Sequence, residues 1–287
     1  MSSATLVLSW LVLCHLLADF VLQPEWVAVS KFGRGSGPRR ALLIHTAIVA
    51  AVASPIVLVY GVPGVAYVLV TAITHVVIDQ TKIELTLRKG PGPGALPGAV
   101  PDVELAPEQL PEWSPMPGAW FLLDQLAHLG VLVVAWALLL AGAEPLGWWQ
   151  DLVARIAAQP DGAEVGRAVL VCLVIGSLLI ANVRAGSLFV ATLVRAPRPP
   201  HVADARPVTS ASVARIGATI GVAERLLIAA LVLAGGIMTI GLVVAAKTLA
   251  RFKQLDDRDF AEYYLLGTLA SVTFAVVTSL VAARALA

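Results

Sequence analysis

The sequence predicts an all-α, polytopic helical membrane bundle, and three observations carry that prediction. Of the 287 residues, 58% are hydrophobic and only 14% are charged. The mean hydropathy is +0.84, far above that of an ordinary soluble domain. Several apolar stretches reach the roughly 20 residues needed to cross a hydrocarbon core. These stretches also carry polar residues at helical spacing, which suits a bundle with a polar interior better than a lone lipid-exposed anchor. A formal net charge of +1 gives no electrostatic case for nucleic-acid binding. The two cysteines, Cys14 and Cys172, fall in apolar segments and read as packed thiols, not as a disulfide framework or a catalytic pair.

Eight hydrophobic helices are predicted within one integral membrane domain over 1–287. The first runs from about Ala4 to Gln23. It lacks a basic leader region and carries His15 and Asp19, so it reads as a retained helix and not a signal peptide. A basic link with Lys31, Arg34, Arg39 and Arg40 precedes the second helix, Ala41 to Tyr60. The turn Gly61-Val62-Pro63-Gly64 leads into the third, Val65 to Ile83. Residues 90–117 are rich in Pro and Gly and are expected to form a flexible cytoplasmic loop. The fourth helix covers Ala119 to Ala141. Residues 144–164 space Leu146, Trp148, Trp149, Leu152, Val153 and Ile156 as an extracytoplasmic amphipathic helix at the membrane interface. The fifth helix spans Ala168 to Leu193, and a loop with Arg195, Arg198, His201 and Arg206 follows. Helices six and seven, Val213 to Ala234 and Ile237 to Ala250, are split at Gly235-Gly236. Helix eight runs from Glu262 to Ala282, with Asp257 or Asp259 placed to satisfy its free N–H groups.

Alternate connections carry the basic residues: Lys31 to Arg40, then Lys82, Arg88 and Lys89, then Arg195 to Arg206, then Lys247, Arg251 and Lys253. The positive-inside bias places these in the cytoplasm and both termini outside. On that topology His15, Asp19, His45, His75, Asp79, Asp124 and His128 share one depth near the cytoplasmic leaflet. Glu224, Lys247 and Glu262 lie at the same end of their helices.

Those residues form the chemical constellation. His15 with Asp19, His75 with Asp79, and Asp124 with His128 are each four residues apart, so each pair shares a helix face. Ionisable groups inside a membrane are costly and usually face a partner, a cavity or an ion. A carboxylate and an imidazole one turn apart can bind a metal together, or the carboxylate can orient the imidazole. The predicted metal-site residues are His15, Asp19, His75, Asp79, Asp124 and His128, with His45 and Asp124 as catalytic candidates. Nitrogen and oxygen donors without thiolate suit a divalent ion, zinc first, with manganese, iron or magnesium as alternatives. Lys247 and Arg251 are candidates to orient an anionic, lipid-linked substrate; their simpler role is to hold membrane lipids electrostatically. Glu224-Arg225 reads as an internal neutralised pair, and Asn182 and Arg184 as inner-face residues of helix five. The HExxH arrangement of metalloproteases is absent, so peptide hydrolysis has no specific support.

The stretches HLLADFVLQPEW (His15–Trp26), THVVIDQTK (Thr74–Lys82) and FLLDQLAHL (Phe121–Leu129) resemble the DUF3307 family of bacterial membrane proteins. The tail from Ala245 to Ser271 is similar as well. The resemblance implies placement in the bacterial cytoplasmic membrane and a common site at His15, Asp19, Gln23, His75, Asp79, Asp124, Gln125 and His128, with Lys247, Arg251, Glu262 and Tyr263 matching in the tail. It implies no reaction. From the residues, the expected function is an intramembrane metal-dependent enzyme, a hydrolase of a lipid-linked or phosphorylated substrate. A transition-metal or proton-coupled transporter and a non-enzymatic assembly protein are the alternatives.

Overall fold

A computed structural model describes residues 3–31, 37–89, 115–194 and 207–287. Most of the 90–117 loop, with its acidic run, and Arg34, Arg195, Arg198, His201 and Arg206 lie outside the described residues. All regular elements among the described residues are helices. In chain order they are α1 (Ser3–Phe20), α2 (Glu25–Ser30), α3 (Gly37–Ala53), α4 (Pro55–Tyr60), α5 (Val62–Lys89), α6 (Met116–Leu139), α7 (Gly147–Ala157), α8 (Gly162–Ile180), α9 (Gly186–Leu193), α10 (Pro207–Leu233), α11 (Ile240–Ala250) and α12 (Arg258–Leu286).

Six helical stretches are long and apolar enough to cross a membrane: Gly37–Tyr60, Val62–Leu85, Met116–Leu139, Gly162–Leu193, Ile216–Leu233 and Arg258–Leu286. The apolar helices Ala4–Phe20 and Ile237–Ala250 are shorter. Large apolar side chains such as Leu43, Leu138, Leu242 and Val281 point outward, as a bundle dissolved in lipid requires. The chain is a helical membrane protein.

Several boundaries differ from the sequence expectation for physical reasons. The predicted second helix breaks at Ser54, because Pro55 lacks an N–H and its ring displaces the carbonyl one turn back. The helix after the Pro/Gly-rich stretch begins at Met116, taking in the last two residues assigned to the loop. The 144–164 segment contains a helix only over Gly147–Ala157, and Gly162–Glu164 already belong to α8. Gly162 makes that tight return possible: a Cβ there would sit 2.1 Å from the Ile156 carbonyl oxygen. The indole N–H of Trp148 donates to the Leu58 carbonyl at 2.9 Å and pins α7 to α4. The predicted split at the glycine pair is present, with Gly235 at φ +79°, the left-handed region that favours glycine.

The described residues gather into two compact units. The first comprises α1–α5, α6 from Leu122 onward, α7 and α8. Its apolar core contains Leu11, Ile56, Tyr60, Tyr67, Leu132 and Leu140. The second comprises the start of α6, a π-helical turn at Ala181–Ala185, and α9–α12. There Phe189 stacks between Phe121 and Phe274, with ring centroids 6.2 and 5.8 Å away.

Candidate metal centre

Four helices of the first unit each bury a stripe at the helical period, and each stripe turns polar at the same place. On α1 the stripe is Leu11, His15, Asp19; on α3, His45 and Val49; on α5, Tyr67, His75, Asp79; on α6, Asp124, His128, Leu132. The apolar members form the core, and the polar members converge beside it. His15, His45, His75, Asp79, Asp124 and His128 are all buried, and the Asp19 side chain is 9% exposed.

The closest approach between two imidazoles joins His75 Nε2 to His45 Nε2 at 2.8 Å. Asp19 Oδ1 lies 3.4 Å from His45 Nε2 and 3.7 Å from His75 Nε2. Asp79 Oδ2 lies 3.9 and 3.8 Å from the same two nitrogens. A tetrahedral ion with N/O ligands at 2.0–2.1 Å needs ligand atoms about 3.3 Å apart. These five of the six separations among the four atoms bracket that length, so the four side chains offer a donor set of the right kind and spacing for one ion. Asp19 Oδ1 is also buried without a hydrogen-bond partner, which is costly for a carboxylate oxygen unless something accepts its charge. The residues therefore fit a divalent metal.

A second part of the cluster lies on α6. His128 Nδ1 is 2.8 Å from the Asp124 carbonyl oxygen. A carbonyl only accepts, so Nδ1 carries a proton, and in the neutral ring Nε2 presents the lone pair. His128 Nε2 is buried and has no hydrogen-bond partner, and the same is true of Asp124 Oδ1. Ligand atoms of Asp79, Asp124 and His128 come within 4.8 Å of one another, as do those of His15, Asp19 and His75. The His128 ring packs on His75 and His15, with centroids 4.1 and 5.3 Å away. His15 Nε2 sits 3.3 Å from Gln125 Oε1 and 3.9 Å from Asp19 Oδ2.

Two lysines complete the site, and sequence reasoning missed both. Lys31, buried just after α2, pairs with Asp79 Oδ2 at 2.5 Å. Lys82 pairs with Asp124 Oδ2 at 2.7 Å, and the Gln125 amide donates to the same oxygen at 3.0 Å. Both read in the sequence as loop-flanking charges of the positive-inside pattern. The available signal was spacing: Lys82 follows Asp79 by three residues and therefore shares its face of α5. Counting the histidines as neutral, three carboxylates against two ammonium groups leave one negative charge over, and among the described residues no lysine pairs with Asp19. A cavity of about 40 Å³ adjoins the cluster, lined by His15, His75 and His128 together with Cys14, Tyr67 and Thr71. That is room for a water molecule or so.

Residues 7–149 match the family described as a protein of unknown function, DUF3307. The chain belongs to the DUF3307 family through these residues. The DUF3307 match includes every member of the cluster: His15, Asp19, Lys31, His45, His75, Asp79, Lys82, Asp124, Gln125 and His128. The tail at Ala245–Ser271, expected to match as well, lies outside the matched residues. No curated protein and no solved structure matches the chain.

The remaining candidates lie in the second unit. Lys247 pairs with Glu224 Oε2 at 2.5 Å, and Arg251 donates to Gln254 at 2.8 Å. The expected Glu224–Arg225 pair is not formed, because neighbouring residues on a helix point about 100° apart. Arg225 instead donates to the Asn182 carbonyl at 2.7 Å and to Ser271 at 3.2 Å and Ser187 at 2.5 Å. Asn182 is buried, but Arg184 is exposed, since the π turn sets the two on different faces. Glu262 pairs with Arg258 in an exposed position, and Tyr263 is exposed.

Proposed function

We propose that the first unit houses a divalent-metal centre and that the protein is an intramembrane metal-dependent hydrolase of a phosphorylated or lipid-linked substrate. The observation that carries this reading is the set of distances among Asp19 Oδ1, His45 Nε2, His75 Nε2 and Asp79 Oδ2. Zinc is the first choice for four such ligands, with manganese, iron and magnesium as alternatives. When bound, the ion would supply Lewis acidity and acidify a coordinated water.

The chain's own groups divide the remaining work. His45, the expected base, serves better as a ligand, because its Nε2 is committed to His75 and Asp19. His128 is the better base, since its Nδ1–H is taken up by the Asp124 carbonyl and its Nε2 has no hydrogen-bond partner. Asp124 fixes the His128 tautomer through its carbonyl and is itself held by Lys82 and Gln125. His15, which meets Gln125, lies 3.9 Å from Asp19 Oδ2 on the other side.

This reading places the protein in the bacterial cytoplasmic membrane with both termini outside and the centre near the cytoplasmic leaflet, as the distribution of basic residues suggests. Membrane lipids surround the bundle, and α7 with Trp148 lies in the interface.

The test is metal content after purification of the whole chain in mild detergent. Stoichiometric divalent metal in the parent, lost from folded His75→Ala and Asp124→Ala variants, supports the centre. A parent that takes up no metal on supplementation sinks it. Release of phosphate from phosphomonoester and lipid-linked pyrophosphate substrates then tests the reaction. One observation favours a second reading, transport of a transition metal or protons: Tyr67, Thr71, His75 and Asp79 form a polar line four residues apart on α5, and the first three line the cavity. Metal flux into vesicles without turnover would select that reading.

A further inference from the structure

The metal-centre reading leaves one conflict at a single atom. Asp79 Oδ2 is the oxygen within 3.9 Å of both His45 Nε2 and His75 Nε2, and it is also the oxygen that Lys31 Nζ holds at 2.5 Å. An ammonium and a divalent ion cannot share one oxygen at full strength, since their charges repel and their directions compete. Asp124 differs: its lysine sits on Oδ2, while Oδ1 has no hydrogen-bond partner and only the His128 ring nearby at 3.7 Å. Metal could therefore engage Asp124 without displacing Lys82, but it could not engage Asp79 fully without displacing Lys31.

We infer that Lys31 is an exchangeable counter-ion, which holds Asp79 in the metal-free protein and, once displaced by metal, binds an oxyanion of the phosphate class. This rests on the metal-centre reading and extends it to a binding order and a ligand chemistry. Lys31 is 7% exposed, so a displaced ammonium remains in a poorly hydrated place and requires a new acceptor. One neutral acceptor is at hand: the Gln23 amide, oriented with its nitrogen donating to the Asp19 carbonyl oxygen at 3.2 Å, offers its oxygen to Lys31 at 3.3 Å. An amide oxygen does not balance the charge, and a phosphoryl oxygen does. Lys82, at 29% side-chain exposure, provides a second cation on the Asp124 side of the same cluster. The charge count points the same way. A divalent ion turns the surplus of one negative charge into a surplus of one positive charge, so the loaded centre attracts the anion that the empty centre repels. Metal therefore binds first and phosphate second.

Calorimetry on the full-length protein in detergent tests this with zinc alone, manganese alone and inorganic phosphate. In the parent, phosphate should bind at least about tenfold more tightly after metal loading. Lys31→Met should bind metal about tenfold more tightly than the parent, because the competitor is gone, and should lose the metal-dependent gain in phosphate affinity. Lys253→Met, at an exposed lysine outside the cluster, should leave metal affinity within about threefold of the parent. Unchanged or weaker metal binding in Lys31→Met, or phosphate affinity indifferent to metal, overturns the exchange while leaving the centre standing. A parent that binds no metal overturns the centre and the exchange together. If Lys31→Met does not fold, the parent alone gives the answer. Metal loading should accelerate acetylation of Lys31 by an amine-reactive reagent about fivefold or more, read by peptide mass spectrometry, on the expectation that the displaced ammonium loses its ion pair. An unchanged rate rejects the displacement. Micelles doped with phosphatidic acid, compared with inorganic phosphate, distinguish a lipid headgroup from a free anion as the source of the phosphoryl group.

Discussion

His128 donates its Nδ1–H to the carbonyl oxygen of Asp124 one turn earlier on α6, at 2.8 Å. The bond fixes the imidazole in the tautomer whose Nε2 lone pair points into the buried cluster. His128→Gln keeps a side chain of similar length but removes that basic lone pair. If His128 is a base, the variant retains metal within a few-fold and loses turnover by about 10²-fold or more. If it is a ligand, metal affinity falls by more than about tenfold, which chelator competition measures.

Gly162 predicts a packing defect. A methyl group at this position would lie 2.1 Å from the Ile156 carbonyl oxygen, and backbone cannot swing aside as a side-chain end can. Gly162→Ala should lower unfolding stability in detergent by about 1–3 kcal/mol, read as a drop in melting temperature. Gly147→Ala is the matched control, because its added Cβ meets nothing within 4 Å.

The site was largely legible in the sequence, and the reason is helix geometry. His15–Asp19, His75–Asp79 and Asp124–His128 each span one turn, so each pair had to share a face, and alternating helix directions brought the pairs to one level. His45 joined from the middle of α3, because that helix starts at Gly37 and not at the expected Ala41. What periodicity could not show was the pairing of long, flexible side chains. Lys31 and Lys82 looked like markers of orientation because a lysine stem reaches several ångströms from its backbone position. Nor did it show the break at Pro55 as an interruption of an otherwise continuous apolar run. The π turn at Ala181–Ala185 was also hidden, since one inserted residue leaves composition and hydropathy unchanged.

That π turn depends on Arg225, which meets the Asn182 carbonyl and the hydroxyls of Ser187 and Ser271. Arg225→Met should cost about 2–3 kcal/mol of stability by leaving the charge-assisted bonds unmade. Gly186→Ala should also destabilise, since its Cβ would lie 2.9 Å from Arg225 Nε and 3.0 Å from the Phe274 ring. Thermal unfolding of both variants, followed by tryptophan fluorescence in detergent, checks the pair.

Asp257 caps α12 by accepting the Phe260 N–H at 3.1 Å, which decides between the two aspartates that the sequence offered. Asp257→Ala should cost about 1 kcal/mol, and Asp259→Ala should cost less. Paired denaturation measurements in one detergent compare them directly.

Cys14 lines the cavity next to His15, whereas Cys172 is exposed. A lipid-soluble thiol-reactive dye should therefore reach Cys172, which faces outward from the span Gly162–Leu193, before the buried Cys14. Any ligand that widens the chamber would reveal itself as modification of a second sulfur, with no engineered reporter required.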